Sequence, residues 1–233
     1  YSASEMRLAG YKALAMRDAG FSAKKLKMAA YKASELDEAG WSVENLKQAG
    51  YEAFEVRAAN HKAAELQEVG YTLSELKAAG FSTTELQEVG FSAEELRAAG
   101  TSLADLASAG STVAELRNAG ISAIGLKAEG ISLVDMKDAG YSVKELKAAG
   151  FSAAELSAAG CPACELTAVG FVAAQLKEGG YFDAEELRAA SCTVKDLKEG
   201  GYVARELKRG GFTAMELICD DEFTVKELKD GGF

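Results

Sequence analysis

The sequence predicts an all-α fold: a solenoid, or superhelix, of about 23 helix–turn repeats of ten residues each. Three observations carry that prediction. A ten-residue period runs unbroken from Tyr1 to Gly180. Most periods open on a helix-start signal and close on a helix-stop signal. The two helix breakers are also used unequally, with one Pro against 24 Gly, and most of those Gly fall at the tenth place of a repeat.

The stretch "YTLSELKAAGFSTTELQEVGFSAEELRAAG", residues 71–100, shows the pattern. Position 1 is usually an aromatic or Ile, and position 2 is usually Ser or Thr, as in Thr72, Ser92 and Ser142. Position 3 is small and apolar, and position 5 is usually Glu or Asp. Position 6 is Leu, replaced by Met6, Met16, Val56 and Met136. Position 7 is mainly Lys or Arg, and position 9 is Ala, Val or Gly. Position 10 is Gly except at Ala30, Asn60, Ser191 and Asp221.

Each position has a physical reason. Ser or Thr at position 2 caps a helix N-terminus, and the acid three places later completes a capping box. Acid in the first turn and base in the last suit the helix dipole. Gly at position 10 supplies the left-handed residue that ends a helix, and Asn60 is the usual second choice. The next aromatic closes one helix and opens the following one. The predicted helix is about seven or eight residues, roughly 11 Å, too short to be stable alone in water. Positions 1, 3, 6 and 9 form its apolar face, and positions 4, 5, 7 and 8 are expected in water. Stacked repeats then supply the neighbours that each helix lacks. A pentapeptide β-solenoid would explain large apolar residues at positions 1 and 6. It would also place Lys24, Glu44, Phe54 and Lys144 inside a narrow coil and leave the caps without a role.

The array is read as a single domain over residues 1–233, with register shifts near 181 and 220–222. Tyr181 reads as an extra residue, with the pattern resuming at Phe182. Residues 101–130 are expected to be its softest part. There Thr101 and Ser111 replace core aromatics, Gly125 sits inside a helix and Glu129 takes a small apolar place.

"YSVKELKAAG" (141–150) and "FSAAELSAAG" (151–160) carry a further signal. They resemble the decapeptide tandem repeats of the form aromatic-Ser-x-x-Glu-Leu-Lys-x-Ala-Gly found in many large algal and protist proteins. The resemblance extends over essentially the whole chain and implies a short-helix α-solenoid with no general activity. The Gly-Gly endings near the C-terminus and the polar Thr101 and Ser111 depart from the pattern.

Net charge is −10, which disfavours a nucleic-acid partner, because binding phosphates rests on Lys and Arg. No apolar run is long enough to span a bilayer, so direct membrane insertion is not expected. Candidates for chemistry are few. "CPAC", Cys161 to Cys164, has the spacing of a redox pair at a helix N-terminus, or is a core hydrophobe beside a surface Cys. Cys192 and Cys219 lie too far along the chain for finger-type zinc spacing, and no metal, cofactor or catalytic residue is assigned. Scattered thiols point towards a reducing compartment. His61 takes the place of a core aromatic. Leu14, Phe54, Ile124 and Val134 at position 4, and Leu8 and Met28 at position 8, put apolar groups on the wet face. Phe54, Ile124 and Val134 form the candidate interaction patch.

The reading that follows is a non-catalytic scaffold or linker that mediates protein–protein interaction within a larger assembly. Its partners are other protein subunits, met end-on through terminal repeats or by self-association. At the ends, Tyr1, Ala3 and Met6, and Phe223, Val225 and Leu228, are expected to be uncovered. The alternatives are a groove-binding module for a peptide or small ligand, and a thiol redox protein using Cys161 and Cys164.

Overall fold

The computed structural model describes residues 1–181, 183–218 and 222–233. Among the described residues every repeat is a helix and a turn, and no strand occurs. The helices run from α1 (Ala3–Leu8) to α23 (Val225–Asp230), numbered in chain order. They are six residues long, or five in α6 (Ala53–Arg57) and α22 (Ala214–Ile218), shorter than the seven or eight expected. The reason is local. Position 2 stays extended as the cap, at φ −71° and ψ 158° for Ser92, and position 10 swings to positive φ. The helix is confined between them.

Both ends are built as the sequence predicts. Glu95 N–H donates to the Ser92 hydroxyl at 3.2 Å, and Ser92 N–H donates back to the Glu95 carboxylate at 2.8 Å. At the other end Gly100 N–H reaches the Arg97 carbonyl at 2.8 Å, and Thr101 N–H reaches the Leu96 carbonyl at 2.9 Å. These are the paired bonds of a Schellman ending. Gly90 holds φ +99°, whereas Ala30, Asn60 and Ser191 hold φ +64°, +68° and +58° despite carrying a side chain.

The chain divides into two compact units, Tyr1–Ala119 and Gly120–Phe233. Within each, a helix packs on the second helix after it, so that alternate helices form two rows. In the first unit α1 lies on α3 (Ala23–Met28), and α6 on α8 (Leu73–Ala78). In the second, α16 (Ala153–Ala158) lies on α18 (Ala173–Glu178), and α21 (Ala204–Arg209) on α23. Position 6 runs between the rows: Leu26, Leu36, Leu66, Leu156 and Leu207 are all 0% exposed. Each such burial is worth about 1.5–3 kcal/mol. The position-1 rings close the core from the turn side, and their hydroxyls do not go unpaired. Tyr31 donates to the Tyr11 carbonyl, Tyr51 to Tyr31 and Tyr71 to Tyr51, each at 2.6 Å. Burial pushes the Tyr51 and Tyr71 phenols up to about 12.

Tyr181 is not the extra residue. It is 5% exposed and its hydroxyl donates to the Cys161 carbonyl, which is the position-1 role. Phe182, where the pattern was expected to resume, lies outside the described residues, as do Cys219, Asp220 and Asp221 at the second shift. Phe223 re-enters the core at 5% exposure.

The Gly-Gly endings have a packing cause. At position 9 of the later repeats, a Cβ on Gly200 would stand 2.7 Å from Ala174 N and 2.8 Å from Ala173 C. On Gly231 it would stand 2.7 Å from Ala204 Cβ. The helix end here lies directly on the start of the helix two repeats earlier.

These two glycine roles separate in a melting experiment. Ala30→Gly relieves a left-handed Ala and is expected to stabilise by about 0.5–1 kcal/mol. Gly200→Ala adds a helix-favouring residue but drives a Cβ into backbone, and is expected to destabilise by about 1–3 kcal/mol. Equal midpoints for the two variants would contradict the packing account.

Candidate functional site

Position 7 is not a wet position, and this corrects the sequence-based expectation. Its Lys or Arg is held at the corner between the second and third repeats after it. Lys147 Nζ stands 4.4 Å from the centroid of the Phe171 ring and donates to the Val169 carbonyl at 2.8 Å. Lys47 does the same with Tyr71, at 4.7 Å, and the Val69 carbonyl, at 2.9 Å. Arg57 covers Phe81 at 4.7 Å and donates to the Ala79 carbonyl at 2.7 Å. The carbonyls concerned are the orphan acceptors at a helix C-terminus, where a cation also meets the negative end of the dipole.

A third partner completes the clamp in several repeats. Lys27 stands 3.2 Å from Glu55, Arg7 stands 3.4 Å from Glu35, and Lys177 stands 2.8 Å from Glu206. Each of those acids is also a cap, since Glu35 accepts from Lys32 N–H at 2.7 Å and Glu55 from Glu52 N–H at 2.8 Å. One carboxylate therefore ties its own helix start to a cation about three repeats earlier.

Where position 1 is polar, the residue 24 places earlier still faces it, with position 7 altered at Asp37 and Gln87 and kept as Lys at Lys77. His61 replaces a ring, and the residue facing it is Asp37, whose carboxylate is 3.0 Å from Nε2, while Glu65 lies 2.6 Å from Nδ1. Ser111 replaces a ring, and Gln87 donates to its hydroxyl at 2.6 Å. Thr101 replaces a ring, and Lys77 reaches its hydroxyl at 2.9 Å. The signal was present in the sequence as a pairing between residues 24 apart. It becomes visible only once the row spacing is known.

The candidate patch residues are exposed: Phe54 54%, Ile124 59% and Val134 54%. Phe54 belongs to the first unit, and Ile124 and Val134 to the second. Ile124, on α13 (Ala123–Ala128), and Val134, on α14 (Leu133–Asp138), stand on consecutive helices and therefore in alternate rows. Their same-row counterparts are Lys144 and Ala154. A pairing that sequence reasoning missed is Leu8 with Met28, 90% and 79% exposed on α1 and α3 of one row. At the ends, Tyr1 and Val225 are exposed as expected, while Phe223 and Leu228 are buried by earlier repeats.

Cys161 and Cys164 are free thiols. Cys161 is 3% exposed in the core ring position, and burial pushes its thiol pKa up, only partly opposed by Lys137. A nucleophilic thiol is set up in the opposite sense. Cys164 is exposed on α17 (Ala163–Ala168), after the extended cap Pro162. Cys192 is a third free thiol, and Cys219 lies outside the described residues.

The repeat geometry agrees with comparison to known families. The family described as Decapeptide repeat region matches residues 1–53, 50–123, 110–181 and 180–233. The chain belongs to the decapeptide repeat family. No curated protein and no solved structure matches it. What the decapeptide repeats share here is the cap, the left-handed stop and the ring at position 1, and the clamp joins these parts across repeats.

The clamp predicts a measurable loss. Lys147→Met keeps the stem but removes the ring contact and the carbonyl bond, and is expected to destabilise by about 1–2 kcal/mol in denaturant melts. Lys144→Met, at an exposed place in the same helix, is expected to change little. The caps predict a pH profile. Hydrogen bonds from the cap N–H and hydroxyl hold Glu75, Glu85, Glu95, Glu155 and Glu227 below the ordinary glutamate range. Folded values below unfolded ones mean that the stabilisation is present above about pH 4.3 and is lost as pH falls through the folded values. Urea midpoints are expected to be flat from about pH 7 to 5 and to fall below about 4.5. A profile flat to lower pH would remove the caps from the account.

Proposed function

We propose that the chain is a non-catalytic scaffold or linker whose repeats hold protein partners at fixed spacing within a larger assembly. The observation that carries this reading is where its chemistry points. Ring, cation, carboxylate and carbonyl groups converge on neighbouring repeats, as in Lys27 with Tyr51 and Glu55. What faces outward is a set of interchangeable side chains with apolar points among them: Leu8, Met28, Phe54, Ile124 and Val134. Such points suit contact with other protein subunits.

The test is affinity capture of the intact chain from its native source with crosslinking mass spectrometry. The expected result is a protein crosslinked to positions 4 and 8, weakened by Phe54→Ser or by Leu8→Ser with Met28→Ser. Recovery of the chain with no crosslinked protein, or turnover of a substrate by the isolated chain, would overturn the reading.

A further inference from the structure

Near-identical repeats create a physical problem that the clamp addresses. Most repeats of the first unit offer their neighbours a Leu at position 6, an Ala at position 9 and the same left-handed turn, with Met6, Met16 and Val56, Val69 and Val89, and Ala30 and Asn60 as the substitutes. Burial of those groups is almost as favourable in a wrong pairing as in the right one. Tandem arrays are exposed to such pairing errors, within one chain or between two chains during refolding. Discrimination has to come from contacts that differ among repeats.

We propose that the inverted couple Asp37–His61 is a registry device that selects the native pairing of repeats in the first unit. Its neighbours along the chain have the ordinary polarity. Lys27 lies 4.6 Å from the Tyr51 ring centroid, Lys47 lies 4.7 Å from that of Tyr71, and Arg57 lies 4.7 Å from that of Phe81. In the native register Asp37 meets His61 Nε2 at 3.0 Å, and Glu65 meets Nδ1 at 2.6 Å, so each ring nitrogen has a carboxylate within hydrogen-bond distance. A slip of one repeat in either direction brings Asp37 to the face of Tyr51 or Tyr71. The negative face of an aromatic ring repels a carboxylate as it attracts a cation. The same slip sets Lys47 or Lys27 against His61 and takes from each the ring it covers. Both members of the couple are thus mismatched by one error, whereas a Leu of the core that exchanges places with another Leu registers nothing. The couples Lys77–Thr101 and Gln87–Ser111, at 2.9 Å and 2.6 Å, break the degeneracy again further along. A contact that discriminates between registers need not be the one that contributes most to stability.

The experiment compares wild type, the double variant Asp37→Lys/His61→Tyr, which turns the couple into an ordinary one, and the single variant His61→Tyr. Each is the full chain. Thermal midpoints are read by circular dichroism. Monomer and dimer fractions are read by native mass spectrometry after refolding from guanidinium at increasing chain concentration. The double variant is expected to keep the helical signal and a midpoint at or above wild type, while its dimer fraction about doubles. His61→Tyr, which leaves Asp37 facing a ring, is expected to melt about 2–4 °C below the double variant. The proposal is overturned if the double variant refolds with the wild-type monomer fraction at every concentration. It is equally overturned if His61→Tyr melts with the double variant, or if the double variant is less stable than wild type.

Discussion

A six-residue helix has two intrahelical hydrogen bonds to set against the entropy of fixing its backbone, and that deficit governs the rest of the molecule. No repeat is a stable object. What makes it one is the contact with the second repeat after it, where position 6 is excluded from water and position 9 lies against position 3. The caps, the left-handed turn and the tyrosine bonds all act on a helix that this row contact has already made worth forming.

The contributions divide by size and by selectivity. Burial of a position-6 Leu, at about 1.5–3 kcal/mol, outweighs a cap at about 1 kcal/mol and a half-buried cation–ring contact of about the same order. The large term is nearly constant along the chain and carries no information about which repeat is which. The smaller polar terms vary. Positions 3, 6 and 9 therefore contribute stability that is nearly the same in every repeat, whereas positions 1 and 7 add contacts that differ among repeats.

The parts legible in the sequence are those whose hydrogen bonds close within one repeat. The box of Ser92 and Glu95, the left-handed Asn60 and the buried Leu96 follow from spacings of a few residues. The helices are shorter than the spacing predicts because the cap and the stop remove a residue from each end. Position 7 departs from its expected place for a different reason. Its helical wheel angle points to water, and only the helix lying beside it converts that surface into a clamp. The apolar points were found one by one, but their neighbours were not: Ile124 and Val134 are adjacent in sequence and in alternate rows, whereas Leu8 and Met28 share a row. In a two-row array the unit of adjacency is two repeats, a fact that no single repeat contains.

The Schellman turn closes each repeat with its own residues and the first N–H of the next, with bonds such as Gly70 N–H to the Gln67 carbonyl at 2.8 Å and Tyr71 N–H to the Leu66 carbonyl at 3.0 Å. Tandem coding DNA gains and loses copies by unequal exchange, and a whole-repeat change preserves the reading frame and every local bond of the turns on either side. What such an exchange rewires is the longer-range set, because the partner of each position-7 side chain is now a different ring. Whole repeats can therefore be added or removed with their turns intact, and the couples between positions 7 and 1 are what each change of length has to satisfy anew.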